Sequence, residues 1–288
     1  MESPILEARR LSYKYPDSPD WVLRDISLAV APGEFLAIVG PTGAGKTTLA
    51  LCLRGLIPHN FGGTMAGDVI VEGESILPKT PAELAATIGI VFQNPEAQAI
   101  GLTVLEDLSF GLGNLRVPPE EMRARIDQLA EVVQLGHLLD RETWALSGGQ
   151  KQRLAIASVL AMQPKILIMD EPTAELDPRS KRELFRVVRD LQRQRELTIV
   201  MIEHEVEELA EAADRILLLS EGRVAAVGTP EKVLRQVALF GDVHERVPYV
   251  AELLAGLIAA GLLQEGEFTP REEEAVARLG RLLARVAG

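Results

Sequence analysis

Aromatic residues are scarce: seven Phe, three Tyr and two Trp amount to 4% of 288 residues. Basic residues are outnumbered, with 30 Lys and Arg against 42 Asp and Glu and a formal charge of -12. Such a surface repels phosphate backbones and offers few rings for base stacking, so no nucleic-acid partner is expected. Cysteine is nearly absent. The single Cys52 excludes an intrachain disulfide framework, suits a reducing compartment, and reads as a small buried hydrophobe. Long apolar runs are missing too: the most apolar stretch, 253–263, falls well short of the roughly 20 residues of a bilayer-spanning helix. Met1-Glu2-Ser3-Pro4 carries neither the basic flank nor the apolar run of a secretory signal. These absences predict a soluble, cytoplasmic chain.

What is present is a core. A hydrophobic fraction of 47% beside 25% charged residues belongs to a globular protein. Apolar runs of strand length recur at 35–39, 88–92, 166–169, 198–202 and 216–219, with helical segments between several of them. Runs this apolar predict a parallel sheet buried on both faces. A smaller antiparallel sheet is expected around 69–71 and 75–76, which flank Gly73, and a hairpin turns at Glu221-Gly222-Arg223. From 103 to 164 the pattern turns helical. Pro118-Pro119-Glu120-Glu121 opens a helix with the stripe Met122, Ile126, Leu129, Val132 and Val133. After Pro230 a helical appendage carries the stripe Val250, Leu253, Leu254, Leu257 and Ile258, expected to face a core or a partner.

Gly40-Pro41-Thr42-Gly43-Ala44-Gly45-Lys46-Thr47 fits G-x-x-x-x-G-K-[ST], with Thr48 next, between a buried strand and a helix start. The glycines let backbone N–H groups curl around a phosphate, and the helix N-terminus adds partial positive charge. Lys46 is placed to reach the β- and γ-phosphates of a nucleotide and the Thr47 hydroxyl to sit on Mg²⁺. A second strand, 166–169, ends in Asp170-Glu171. Ligands collect at the carboxyl ends of strands in open α/β sheets. Asp170 is therefore a candidate for Mg²⁺, and Glu171 for orienting or deprotonating a water. Leu146-Ser147-Gly148-Gly149-Gln150 opens a further helix. Ser147 and Gln150 form a capping box. Helix formation does not explain the paired glycines, each costing up to about 1 kcal/mol, whereas a phosphate approaching the backbone does.

The order of these three motifs resembles that of the ATP-binding-cassette ATPases, over roughly residues 5–233. The resemblance implies an α/β fold: a P-loop NTPase (RecA-like) core with a small antiparallel β subdomain, an inserted helical subdomain at about 94–164, and a helical C-terminal extension at 234–288. It implies that Tyr15 stacks on adenine, with Tyr13 as competitor, and that Gln93 links Mg²⁺ and water to a membrane partner. By the same resemblance Ala174-Glu175-Leu176-Asp177 signals between the two sites of a dimer, and His204 contacts the γ-phosphate. Asp177-Pro178 is also a good helix start in its own right. The family's usual Thr-His-Asp is here Glu203-His204-Glu205, followed by Glu207, Glu208 and Glu211, which read as a solvated helix face.

Phe92-Gln93-Asn94-Pro95-Glu96-Ala97-Gln98, the segment 103–111 and the segment 247–253 are similar to the energy-coupling-factor branch, whose members drive uptake of vitamins and of cobalt or nickel ions. That branch implies two cassettes, identical or homologous, at the cytoplasmic face of the cell membrane. Its further partners are an integral membrane coupling protein and a small membrane subunit that captures substrate. In the implied mechanism two chains sandwich two ATP molecules, each phosphate loop facing the other chain's Ser147–Gln150 turn. Lys46, Mg²⁺, Ser147 and His204 then stabilise charge while Glu171 acts on water. Residues 94–98 and 108–110 are expected to line a groove for the membrane partner. An importer cassette of another branch and a soluble cassette ATPase of cofactor assembly remain open. A non-hydrolysing partner is disfavoured because Lys46, Ser147, Asp170, Glu171 and His204 are all present.

Overall fold

The computed structural model describes residues 3–287 apart from 175, 196, 205 and 243–246; the side chains at 194, 195, 242 and 284–287 are also left undescribed. Strands β1 (Leu6–Lys14) and β2 (Leu23–Val30) precede β3 (Phe35–Val39), helix α1 (Lys46–Leu53), and the hairpin β4 (Thr64–Val71) and β5 (Glu74–Ser75). Helix α2 (Pro81–Leu84) leads into β6 (Ile88–Val91). There follow α3 (Pro95–Gln98), α4 (Val104–Asn114), α5 (Pro119–Val132) and α6 (Gly148–Ala161) before β7 (Ile166–Asp170). Next come α7 (Pro178–Arg195), β8 (Thr198–Ile202), α8 (Val206–Ala212), β9 (Arg215–Ser220) and β10 (Arg223–Gly228). The chain closes with α9 (Pro230–Leu234), α10 (Val237–Asp242), α11 (Tyr249–Ala259) and α12 (Glu272–Ala287).

The larger sheet has the order β10-β9-β3-β8-β7-β6, all parallel except for the β9–β10 hairpin. Every residue of β3, β7 and β8 is buried, because both faces of the sheet are covered. Alternation divides the strands between two cores. Leu36 and Ile38 join α1 and the smaller sheet on one face. Phe35, Ala37 and Val39 join the helices between β6 and β7 and the C-terminal helices on the other. The smaller sheet, β2-β1-β4-β5, is antiparallel throughout. Its strands β1 and β2 were not foreseen, although Leu6, Ala8, Leu11 and Tyr13 all point into the core. Arg10, at φ 51, sits in the register irregularity that interrupts their simple alternation.

Two expectations need correction, that the tail is an appendage and that Leu108 lines a groove. In the C-terminal stripe, Leu254 is fully buried and Val250, Leu257 and Ile258 pack against the same core, while Leu253 is 49% exposed. The tail is also less an appendage than expected: Phe240, Ala251, Leu254 and Phe268 belong to the same apolar cluster as the sheet. Leu108 is fully buried, so it supports the fold and does not line a partner groove, whereas Phe110 is exposed. The stripe of α5 faces inward, with Ile126, Leu129 and Val133 buried and Met122 and Val132 half-buried.

Register builds the site. Ile38 pairs with Ile202, Asp170 with the same Ile202, and Val91 with Met169. The residues that follow each strand, Gly40, Gln93, Asp170-Glu171 and Glu203-His204, therefore emerge side by side at the carboxyl edge of the sheet.

Candidate nucleotide site

The phosphate loop is sterically dictated at Gly40. An added Cβ would lie 2.0 Å from the Leu219 carbonyl oxygen, closer than any side chain tolerates. Gly43 differs: its φ of +84 favours glycine, but nothing lies within 4 Å of a Cβ there, so this turn is open towards the ligand side. Ala44 N donates to Pro41 O at 3.0 Å and closes the loop, while Thr42 is exposed. Gly45 caps α1, which starts at Lys46, two residues before the predicted helix start. Lys46 Nζ donates to Gly40 O at 2.6 Å and to Pro41 O at 3.2 Å, curling its charge over the loop.

The Tyr15 and Thr48 hydroxyls lie 3.1 Å apart and share a hydrogen bond. Thr48 is buried, and its hydroxyl is engaged with Tyr15. Tyr13 is 0% exposed, donates to Gly62 O at 3.0 Å and packs edge-on against the Tyr15 ring. Of the two tyrosines, only the half-buried Tyr15 presents surface. Cys52 is buried, and burial pushes its thiol up to about 12, as an inert core thiol requires.

Asp170 is buried at the end of β7, and its Oδ1 has no hydrogen-bond partner. Burial raises its pKa, opposed by a hydrogen bond from Thr47 and by the charges of Lys46 and His204. A buried carboxylate oxygen left without a donor, with a threonine hydroxyl bonded to the same carboxylate, fits a hard divalent cation such as Mg²⁺. Beside it, Glu171 is held from two sides. Gln93 Nε2 donates to Oε2 at 2.9 Å, and His204 Nε2 lies 2.8 Å from Oε1. Two separate loops thus converge on one carboxylate.

Glu203 escaped the sequence reading. Its side chain is only 4% exposed, and its Oε1 accepts a hydrogen bond from Thr173 N at 2.9 Å. Burial pushes its carboxyl up to about 7, against the opposing hydrogen bonds of Thr173 and the charge of Lys181. An isolated acid inside a charged run gives no sequence signal of burial. Its position directly after a fully apolar strand was the available clue. Glu207 and Glu211 are exposed on α8 as expected; Glu175 and Glu205 lie outside the described residues.

At the start of α6 the capping box is present: Gln150 N donates to Ser147 Oγ at 3.4 Å, and Ser147 N to Gln150 Oε1 at 2.9 Å. Ser147 and Gly148 are exposed. A Cβ on Gly149 would lie 3.4 Å from Ser180 Oγ, so close packing on α7 also favours a glycine there. Helix α6 packs on α3, α4 and α5, whereas α1 packs on β7. Asp177 caps α7, accepting from Arg179 N at 3.0 Å, Ser180 N at 3.2 Å and Ser180 Oγ at 2.6 Å. The Ser180 hydroxyl holds its carboxyl below the usual range. Within one chain its role is the structural alternative.

A second surface adjoins the site. A cavity of about 390 Å³ is lined by Pro95, Glu96, Asp107, Trp144 and Lys151, with Lys151 and Glu96 ion-paired. Trp144 is 73% exposed, and Ile100 and Leu102 are 61% and 75% exposed. Asp107 fixes this loop: its carboxylate accepts from Ile100 N at 2.7 Å, Gly101 N at 3.0 Å and Ser158 Oγ at 2.6 Å. Neither Trp144 nor the 100–102 loop was foreseen.

A phosphate loop facing strand-end carboxylates on a parallel sheet defines a P-loop nucleoside triphosphatase. The comparisons narrow this class. The model of the ABC transporter family matches residues 23–174. A putative ABC transporter ATP-binding protein of Pyrococcus abyssi is 41% identical over 97% of this chain and 99% of its own length. An energy-coupling factor transporter ATP-binding protein of Lacticaseibacillus paracasei is 39% identical over 93% of this chain and 94% of its own. The solved cbiO1 of Clostridium perfringens, described as part of the ABC transporter complex cbiONQ, superposes with a TM-score of 0.75 at 34% identity. It spans 88% of this chain and 99% of that one. The chain belongs to the ABC transporter family and is an ATP-binding ATPase similar to those of energy-coupling factor transporters. Among the described residues no helix is long and apolar enough to cross a membrane.

Proposed function

We propose that this chain is the ATP-hydrolysing subunit of an energy-coupling-factor type importer for vitamins or transition-metal ions, peripheral at the cytoplasmic face of the cell membrane. The observation that carries the reading is the exposed apolar loop beside the hydrolytic centre. Ile100, Leu102 and Trp144 present uncovered apolar surface one short helix away from Gln93, which itself holds Glu171. A free-standing ATPase has no use for such a patch; a subunit that answers to a partner does.

The chemistry is positioning and charge stabilisation. The loop amides of residues 40–48 cradle the phosphates, Lys46 neutralises the γ-phosphate, and Tyr15 stacks on adenine. Thr47, Asp170 and Gln93 would hold Mg²⁺, which would supply positive charge to the phosphate oxygens. Glu171, oriented by Gln93 and His204, takes a proton from the attacking water, while His204 faces the γ-phosphate. The exposed Ser147-Gly148-Gly149-Gln150 turn serves the partner chain's nucleotide, because its own chain already has a phosphate loop. Asp177 lies at the same junction. ATP binding closes two cassettes, identical or homologous, and hydrolysis reopens them.

We assign residues 1–233 to the ATPase domain, with 94–164 as its helical insertion, and 234–288 to a C-terminal extension that meets the second cassette or another partner. The membrane coupling protein docks at the cavity lined by Trp144 and Lys151, and a small membrane subunit captures the substrate. The test is to isolate the chain from native membranes and identify what accompanies it. One coupling protein with small substrate-capture subunits is expected; a set of soluble partners alone contradicts the reading.

A further inference from the structure

The segment 171–173 is held at three points by three consecutive residues. Glu171 N donates to Ile202 O at 2.9 Å, Thr173 N donates to Glu203 Oε1 at 2.9 Å, and His204 Nε2 lies 2.8 Å from Glu171 Oε1. The held segment is strained. Glu171 has a φ of 48, a left-handed conformation that a non-glycine residue keeps only where its surroundings impose it. Pro172 follows and has no N–H, so Thr173 provides the first backbone donor after Glu171. That donor goes to a side chain rather than to the sheet.

We infer that Glu203 is a positioning residue of the hydrolytic centre, its buried carboxylate fixing through Thr173 N the turn that aims Glu171. Burying a carboxylate is costly, and an apolar residue would fill the same space without that cost. Glu203 is retained inside the protein although burial pushes its carboxyl up to about 7. Its backbone N–H meanwhile donates to Ile38 O at 3.3 Å, so the main chain stays in the sheet while the side chain reaches across to the next loop. Groups facing it are Thr173 on that loop, Lys181 on α7, and the charge of Glu171. A threonine at this position, as in Thr-His-Asp, has a shorter side chain than the glutamate whose Oε1 meets the Thr173 amide. His204 then acts on the side chain of Glu171, and Glu203 on the backbone two residues after it.

The inference rests on the reading of Glu171 as the residue that acts on water, and the test separates the two. Steady-state ATP hydrolysis is measured on the full-length chain carrying Glu203→Met, Glu203→Gln or Glu171→Gln. Methionine fills the space without an acceptor; glutamine keeps the acceptor without the charge. E203M is expected to lower kcat by about 10- to 100-fold, with KM for ATP within about twofold, as misplacement of a reacting group requires. E203Q is expected to recover most of that loss. Wild-type kcat in E203M, a rise in KM alone, or E203Q as slow as E203M overturns the inference. Wild-type hydrolysis by E171Q overturns the reading of Glu171 instead. Should E203M fold poorly, the amide exchange rate of Thr173 in E203Q decides: protection like that of the wild type supports the anchor, and fast exchange overturns it.

Discussion

Gln93 Nε2 donates to Glu171 Oε2 at 2.9 Å, joining residues 78 positions apart in sequence. Gln93 follows β6 and Glu171 follows β7, two neighbouring parallel strands in register from Ile88–Ile166 to Val91–Met169. The amide is therefore delivered to the carboxylate by strand pairing rather than by a flexible loop. Beyond Gln93 the chain runs through α3 into the exposed Ile100 and Leu102. A partner pressing on that loop is one short helix from the group that acts on water.

Replacing Gln93 tests this contact. Q93A should lower kcat about 10-fold, because Glu171 loses the amide that orients it, and should weaken nucleotide binding only when Mg²⁺ is present, because the ion loses one of its proposed ligands. Q93E should be slower still, because it replaces the amide that donates to Glu171 with a second acceptor whose negative charge repels that carboxylate. Phosphate release against nucleotide affinity in the two variants is the measurement.

Two glycines of the phosphate loop, Gly40 and Gly43, should behave differently. G40A places a methyl 2.0 Å from the Leu219 carbonyl and should lose both folding stability and nucleotide binding. G43A meets no atom within 4 Å, so only its φ of +84 is penalised. That strain is about 1–3 kcal/mol, and the larger effect should fall on ATP binding, where the new methyl enters the ligand side. Thermal melting with and without ATP separates the two.

Glu203 makes stability depend on pH. Its carboxyl is raised in the fold, from the ordinary value to about 7, so the folded state favours the neutral acid. Stability from this group is complete at low pH and declines as pH rises through about 7, levelling off above it. The full decline is on the order of 3 kcal/mol. E203Q lacks the charge and should gain on the wild type between pH 5 and pH 8, by roughly that amount. Denaturant unfolding at those two pH values checks it, and parallel curves would remove the buried charge from the account.

Leu102 is 75% exposed and makes no catalytic contact. Leu102→Asp should leave melting temperature and isolated ATPase activity within about twofold of wild type, as expected of an exposed substitution. Capture of the membrane coupling protein should nonetheless be lost. Equal loss of ATPase activity would assign the loop to folding.

Motifs that combine backbone freedom with fixed spacing were readable in the sequence. The phosphate loop, Asp170-Glu171 and the capped turn at Ser147 all lie where their patterns placed them, and so do the apolar strands of the parallel sheet. Two kinds of feature were not readable. Strands β1 and β2 escaped because the register irregularity around Arg10 breaks their alternation. Residues whose role depends on burial escaped as well: Glu203 looks like one more acid in a charged run, and Leu108 like a neighbour of exposed Phe110. Burial is decided by which elements pack together, and spacing alone does not report it. Trp144 illustrates the converse, a large ring left 73% exposed where a core position was the ordinary expectation.

The central claim is that two such chains close around ATP and that hydrolysis, assisted by Glu171, reopens them. The mass of the Glu171→Gln chain in solution, measured with ATP and Mg²⁺ and again without nucleotide, tests it most directly. The account predicts a dimer that forms only with ATP and persists because hydrolysis is slowed about 10²- to 10⁴-fold. A chain that stays monomeric at saturating ATP, or that hydrolyses ATP at the wild-type rate, contradicts it.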